Sequence, residues 1–365
     1  MTIIALASLT VLAAGTVAGI GWYFSGQVID VFHEDPQYPF QVVDVDEQTV
    51  TLTRDPATEA DGVFGVEWDG GRAVVGDVKE AEGDTVTREL RSADDALKSG
   101  LAVRVDTWVY GDSDPKTALG IDYAEVDVPG PLGDMPAWHV PGESDAWVVA
   151  VHGRNASPAE TLRAIPAVNG AGAHVLAVTH RNDEGAPASP DGFHHLGDSE
   201  WEDVEAAVEY AKSEGASSVV LAGWSMGGAV VMSTLRRMDD SDFVSGVILD
   251  SPTLDWSSTL DKQGDARGLP RLLTGAAKFF VEWRADIDLK ALDQREYAAD
   301  MTTPVLLFAD TADETVDVSA TLEFADAVPQ DLMTLVTTEA GHTASWNADP
   351  DAYDHAVTTF LDQIA

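Results

Sequence analysis

Gly223-Trp224-Ser225-Met226-Gly227 sets a serine between two glycines at G-x-S-x-G spacing, after a short apolar run and before a helical pattern. Glycines there permit a tight, strained strand-to-helix turn that exposes the hydroxyl. A serine at a helix N-terminus also meets free backbone N–H groups and the positive end of the helix dipole, which favour an oxyanion. The bland alternative is that Ser225 only caps the helix.

A serine hydroxyl is a weak nucleophile at neutral pH, so a base must take its proton, and histidine has the right pKa for that. Of nine histidines, His342 in Glu339-Ala340-Gly341-His342-Thr343 follows the last expected strand and lies downstream of the serine and of the acidic candidates. The order Ser, acid, His is the one this kind of turn uses. Asp313, just past the expected strand Val305 to Phe308, suits the third place, where a carboxylate accepts the Nδ1 proton and stabilises the imidazolium. Asp310 and Asp317 are close alternatives, and Asp250, ending the preceding strand, occupies the other place for such an acid.

The expected strand Trp147 to Val151 runs into His152-Gly153-Arg154-Asn155, a loop placed to offer the backbone N–H of Arg154 to an oxyanion beside that of Met226. His194, His195 and Asp198 raise metal ligation, but a His-His-x-x-Asp loop lacks the geometry of a helical His-x-x-x-His pair. A loop at the surface or site rim is expected there, and no cofactor or metal is called for. The absence of cysteine excludes disulfides, thiolate metal sites and a Cys nucleophile.

To position these residues the chain needs strands alternating with helices, and from Ile121 onward the apolar pattern does alternate that way. Trp147 to Val151, His174 to Val178, Val219 to Ala222, Val247 to Leu249, Val305 to Phe308 and Met333 to Val336 read as strands of a mainly parallel sheet. Residues 253–300 interrupt the rhythm with Trp256, Phe279, Phe280 and Trp283, which suits a cap over a site or ordinary core packing. Before that, residues 26–118 show short β-type runs broken by turn residues and no catalytic cluster, a small β-rich module that serves as spacer or packing partner.

From Ile3 to Phe24 no residue is charged, about the ~20 residues a helix needs to cross a hydrocarbon core. Residues 1–25 therefore read as a transmembrane anchor. A cleaved signal peptide, cut near Thr16-Val17-Ala18, fits less well because no Lys or Arg precedes the apolar run. Trp22 and Tyr23 suit a headgroup layer, and the acidic Asp30, Glu34 and Asp35 favour a catalytic domain outside the cytoplasm. Gly15 and Gly19 form a GxxxG pair that would suit two packed anchors. The formal charge of -42, from 63 acidic against 21 basic residues, repels phosphate backbones and excludes nucleic acid as an expected partner.

Val151-His152-Gly153, Gly223 to Gly228, Ala312-Asp313-Glu314 and Gly341-His342 together resemble the α/β-hydrolase superfamily, in its membrane-anchored serine esterase and peptidase-like branch, over about residues 121–365. The resemblance implies an α/β-hydrolase domain over residues 119–365 and an acyl-enzyme route. In that route Ser225 attacks a carbonyl, His342 moves the proton, and the Met226 and Arg154 N–H groups hold the oxyanion. Asp310 departs from the glycine that relatives commonly carry in a His-Gly-x-x-Asp turn, and a second carboxylate there would raise the pKa of the base. A small-molecule carboxylic ester is the leading expectation for substrate. Peptidase, aminopeptidase or thioesterase activity is the alternative, with Asp183 and Glu184 available to hold a substrate ammonium. A non-catalytic, membrane-tethered binding protein is the reading from a different class.

Overall fold

Between residues 40 and 106, β-branched and aromatic residues alternate with polar ones, so that one face of each strand is apolar. The computed structural model describes residues 2–32 and 36–364, with side chains from residue 14 onward. In it, β1 (Phe40–Val45), β2 (Thr49–Thr53), β3 (Phe64–Trp68), β4 (Gly71–Glu82), β5 (Thr85–Ala93) and β6 (Ala102–Asp106) close into a barrel in the order β1-β2-β5-β4-β3-β6. Val42, Val50, Leu52, Val66, Val86 and Val103 fill its interior. Closure leaves no unpaired edge. Arg88 is buried at its end, where the carbonyls of Thr58, Ala60, Gly62 and Gly76 accept from its guanidinium at 2.6–2.9 Å.

The remaining strands build one eight-stranded sheet. β7 (Ala124–Gly130) and β8 (Gly133–Val140) form a hairpin on one edge. β9 (Ala146–Val151), β10 (His174–Val178), β11 (Ser218–Trp224), β12 (Val244–Asp250), β13 (Val305–Asp310) and β14 (Met333–Thr338) run parallel, and the full order is β7-β8-β10-β9-β11-β12-β13-β14. The central strands are buried on both faces, which is why they read as continuous apolar runs rather than alternating ones. In β9, Trp147, Val149 and Val151 join the core on one face, and Val148 and Ala150 the core on the other. Parallel strands bring their C-terminal ends to one edge, and there the loops after β9, β11, β13 and β14 converge.

Helices Trp256–Ala266 and Arg271–Ala285 stand over that edge. Their aromatics divide. Trp256 is buried and its Nε1 donates to Leu196 O at 2.9 Å, whereas Phe279 and Trp283 are exposed.

The first helix, Thr2–Ile29, requires a correction. Among the described residues no helix is long and apolar enough to cross a membrane. That overturns the transmembrane anchor expected for residues 1–25, and with it the single-pass placement of the catalytic domain outside the cytoplasm. The physical reason lies in what its last turns bury. Ile29 is fully buried, and an added Cβ at Gly21 would stand 2.8 Å from Ala276 Cβ. Trp22 meets Phe280 edge-on at 5.7 Å, and Arg284 donates to Ser25 Oγ at 2.9 Å and pairs with Asp30 at 2.8 Å. Apolar residues that would face lipid in a span here face helix Arg271–Ala285. An added Cβ at Gly15 or Gly19 would meet no atom of another element among the described residues within 4 Å. Glu34 and Asp35 lie outside the described residues.

Candidate active site

The turn between β11 and helix Met226–Arg237 is dictated by close approach. A Cβ at Gly223 would stand 2.5 Å from Gly227 O, one at Gly227 would stand 2.1 Å from Val151 O, and one at Gly228 would stand 2.5 Å from Pro252 Cβ. Only glycine fits at such separations. Ser225 itself has φ 53° and ψ −117°, a strained conformation for a residue with a Cβ. Backbone bonds hold it there: Ser225 N–H donates to Asp250 O, and Ser225 O accepts from Thr253 and Gly228 N–H, each at 3.0 Å. The Ser225 side chain makes no capping bond to the helix.

Instead, Oγ lies 2.8 Å from His342 Nε2, and His342 Nδ1 lies 2.7 Å from Asp313 Oδ2. The other oxygen of Asp313 accepts from the N–H groups of Thr315 and Val316 at 2.6 and 2.9 Å. Burial pushes the His342 pKa down, but the hydrogen bond and charge of Asp313, followed by the charge of Glu160, outweigh it and hold the imidazole above its usual value.

The other three acid candidates have different partners. Asp317 accepts from Ser319 N–H at the start of helix Val318–Ala327. Asp250 is fully buried, and burial followed by the charge of Asp310 pushes its carboxyl up to about 8. Asp310 accepts from Ser251 Oγ at 2.7 Å, Ser345 Oγ at 2.6 Å, Ala344 N–H at 3.2 Å and the Thr338 hydroxyl. Asp310 is therefore a carboxylate that ties the His342 loop to Ser251, just past β12, and to Thr338 of β14.

Met226 is buried at the first position of its helix, and Arg154 lies on the loop after β9. Among the described residues no acceptor takes the N–H of either. The preceding N–H, of Gly153, donates to Glu160 Oε2 at 2.6 Å, which sets the turn of that loop. Glu160 and Arg163 share the short 3-10 helix Pro158–Arg163, where residues three apart eclipse. Arg163 reaches across to the carbonyl of Thr343 at 2.7 Å and to Asn347 Oδ1 at 2.6 Å. Asn347 donates onward to Val63 O at 2.7 Å and Thr107 O at 2.9 Å. Sequence reasoning missed Glu160, Arg163 and Asn347. The available signal was two charged residues inside an otherwise apolar stretch, Ala159 to Val168.

His194, His195 and Asp198 do not converge. His194 Nε2 meets Asn155 Oδ1 at 2.8 Å, His195 meets Ser199 Oγ at 2.6 Å and Asp191 at 3.0 Å, and Asp198 pairs with Arg237 at 2.7 Å. Asp183 is not free at a rim either. Its carboxylate lies 2.9 Å from His152 Nε2 and accepts from His180 N–H at 2.7 Å, while the two imidazoles stack with centroids 4.5 Å apart. Among the described residues, His152, His180 and Asp183 are the group whose ligand atoms lie near enough for a metal, within 4.8 Å. Their mutual hydrogen bonds already satisfy the carboxylate and brace the loop that carries Gly153 and Arg154.

Ser225 and His342 open onto a cavity of about 300 Å³ under the two overlying helices. Trp256, Leu260, Ala277 and Val281 make its wall apolar, Phe24 and Val28 of the first helix complete it, and Arg154 lines it from the sheet side.

Residues 142–295 match the family described as serine aminopeptidase, S33. The chain has the α/β-hydrolase fold, and the match over residues 142–295 supports a serine hydrolase. The hydrolase has the fold of an esterase from Pyrococcus furiosus, at 22% identity and a TM-score of 0.57, over 70% of this chain and 98% of that one. Est1E from Butyrivibrio proteoclasticus, whose structure has ferulic acid bound, is similar at 18% identity and a TM-score of 0.53, over 66% of the hydrolase and 98% of that chain. Residues 41–106, within the barrel, match a domain of unknown function. No curated protein matches the chain.

Proposed function

We propose that the hydrolase cleaves small-molecule carboxylic esters through an acyl-enzyme, with Ser225 as nucleophile, His342 as base and Asp313 as the acid behind it. The observation that carries this reading is the hydrogen-bonded line Ser225 Oγ, His342, Asp313 at the floor of a mostly apolar cavity. His342 takes the serine proton as Oγ attacks the ester carbonyl, and the N–H groups of Met226 and Arg154 receive the oxyanion. Collapse of the tetrahedral intermediate expels the alcohol, which takes the proton from His342. Water then repeats the sequence on the acyl-enzyme and releases the acid.

The match to serine aminopeptidases keeps a peptidase reading in view. Such an enzyme needs an acidic group facing the substrate ammonium. Asp183 is committed to His152 and His180, and the charged side chains on the cavity wall besides His342 are cations, Arg154 and Arg267. That favours esters over peptides with a free N-terminus. In this reading the barrel acts as a packing partner that steadies the base loop through Asn347. A panel of chromogenic esters and aminoacyl amides tests the assignment: turnover of the esters supports it, and turnover of the amides alone contradicts it.

A further inference from the structure

Three buried arginines of the hydrolase, and a fourth that is only partly buried, have different company. Arg88 gives its guanidinium to four carbonyls, Arg163 gives its own to Thr343 O and Asn347, and Arg181 pairs with Asp203 at 2.8 Å. Arg154 has no such partner. Among the described residues no hydrogen bond or ion pair is made by its guanidinium, and Nη1 is buried with no acceptor. Burial alone pushes its pKa below the usual arginine value, with no carboxylate charge to offset it. Its near neighbour His194 supplies no negative charge, and burial, then the charges of His180 and Arg154, push that imidazole down to about 3.

A buried cation without a partner is costly, and removing one member of a buried ion pair typically destabilises a protein by several kcal/mol. The arrangement is conspicuous in a chain with 63 acidic residues against 21 basic ones, where a carboxylate for Arg154 would have been easy to place. The group also stands where a ligand goes, because Arg154 lines the same cavity as Ser225 and His342, whose wall is mostly apolar and whose other arginine, Arg267, already donates to Gln263. A planar guanidinium fork matches a carboxylate in two parallel hydrogen bonds.

We propose that the Arg154 guanidinium is a specificity-determining subsite for a carboxylate on the substrate, so that the preferred substrates are esters with an apolar body and a second, free carboxylate, such as half-esters of dicarboxylic acids. This rests on the ester reading and deepens it. The carboxylate takes no part in the bond change: the ester C–O bond breaks as before, and the charge pairs with Arg154 in both ground and transition state. Such uniform binding lowers KM more than it raises kcat.

The test compares p-nitrophenyl valerate with mono-p-nitrophenyl glutarate, equal in acyl carbon count and different in the terminal carboxylate. Wild type is expected to favour the glutarate in kcat/KM by about tenfold or more, the scale of a charge-assisted bidentate pair. In Arg154→Ala that ratio falls to about one, mostly through a higher KM for the glutarate, and Arg154→Lys recovers part of it. The ratio within each variant is the readout, so a general loss from a disturbed loop cancels. Equal kcat/KM for the two esters in wild type, or an unchanged ratio in Arg154→Ala, overturns the subsite. If neither ester is turned over, the ester reading fails by itself, and calorimetric titration of monomethyl glutarate into Ser225→Ala decides the subsite. Binding weakened about tenfold or more by adding Arg154→Ala supports it, and no binding or equal binding overturns it.

Discussion

Arg163 donates to Asn347 at 2.6 Å, and through that pair the barrel is joined to the loop that carries His342. The same Nη1 holds the carbonyl of Thr343, the residue after His342, and Asn347 holds Val63 and Thr107 of the barrel side. An added Cβ at Gly62 would stand 2.1 Å from Asn347 O, so the barrel backbone sits directly against this asparagine. Replacing Asn347 by Ala orphans two barrel carbonyls and deepens the isolation of a buried guanidinium. Orphaned buried groups cost about 1–3 kcal/mol each. Asn347→Ala is therefore expected to lower the urea midpoint and also to lower kcat on any working ester, because His342 loses a brace. A stability loss with kcat intact would show that the barrel does not steady the base.

Glu160 gives a second expectation, with a sign. Its carboxylate holds Gly153 N–H and its charge helps keep the His342 pKa above the usual value. Glu160→Gln keeps an acceptor but removes the charge, so the imidazole is more easily deprotonated. A base must be neutral to accept the serine proton. The acid limb of the kcat/KM profile should therefore move to lower pH in Glu160→Gln. Glu160→Ala, which also frees the oxyanion loop, should lose about ten- to a hundredfold in kcat. An acid limb that stays in place, or moves up, contradicts the assignment of Glu160's charge to the base.

Asp250 makes stability depend on pH. Its carboxyl is pushed up to about 8 in the folded state, against about 3.9 unfolded. Between those values the folded protein holds a proton that the unfolded chain has lost, so stability falls as pH rises through that window and levels off above about 8. Among the described residues one carboxylate oxygen of Asp250 has no hydrogen-bond partner, which disfavours the ionised form. Asp250→Asn stays neutral throughout. Its Tm should decline less than that of wild type between pH 5 and 8, as differential scanning calorimetry across that range would register; parallel Tm curves would sink the idea.

What could be read in the chain beforehand follows the range of the interactions. The turn at Ser225 is local: Gly223, Gly227 and Gly228 are demanded by atoms within a few residues or on adjacent strands, so spacing alone exposed it. His342 and Asp313 could be placed because strand order and chain order are coupled in a parallel sheet. Chain order did not carry the contacts of Asp310 or the pairing of Arg163 with Thr343 and Asn347, 180 and 184 residues away. The strands of the barrel were visible as alternation, but closure of β1 on β6 depends on a register that alternation does not specify. The first helix shows the opposite failure. An apolar run suits lipid and a neighbouring helix equally, and it takes contacts such as Gly21 against Ala276 and Asp30 paired with Arg284 to show what its last turns face.

Ser225 as the attacking group is tested most directly by fluorophosphonate labelling of wild type beside Ser225→Ala. Removal of one member of such a triad commonly costs on the order of 10⁴- to 10⁶-fold in kcat. Stoichiometric labelling of wild type at Ser225, with labelling and ester turnover both lost in a folded Ser225→Ala protein, is the predicted result. Equal labelling of the two proteins, or ester turnover that survives the substitution, would contradict it.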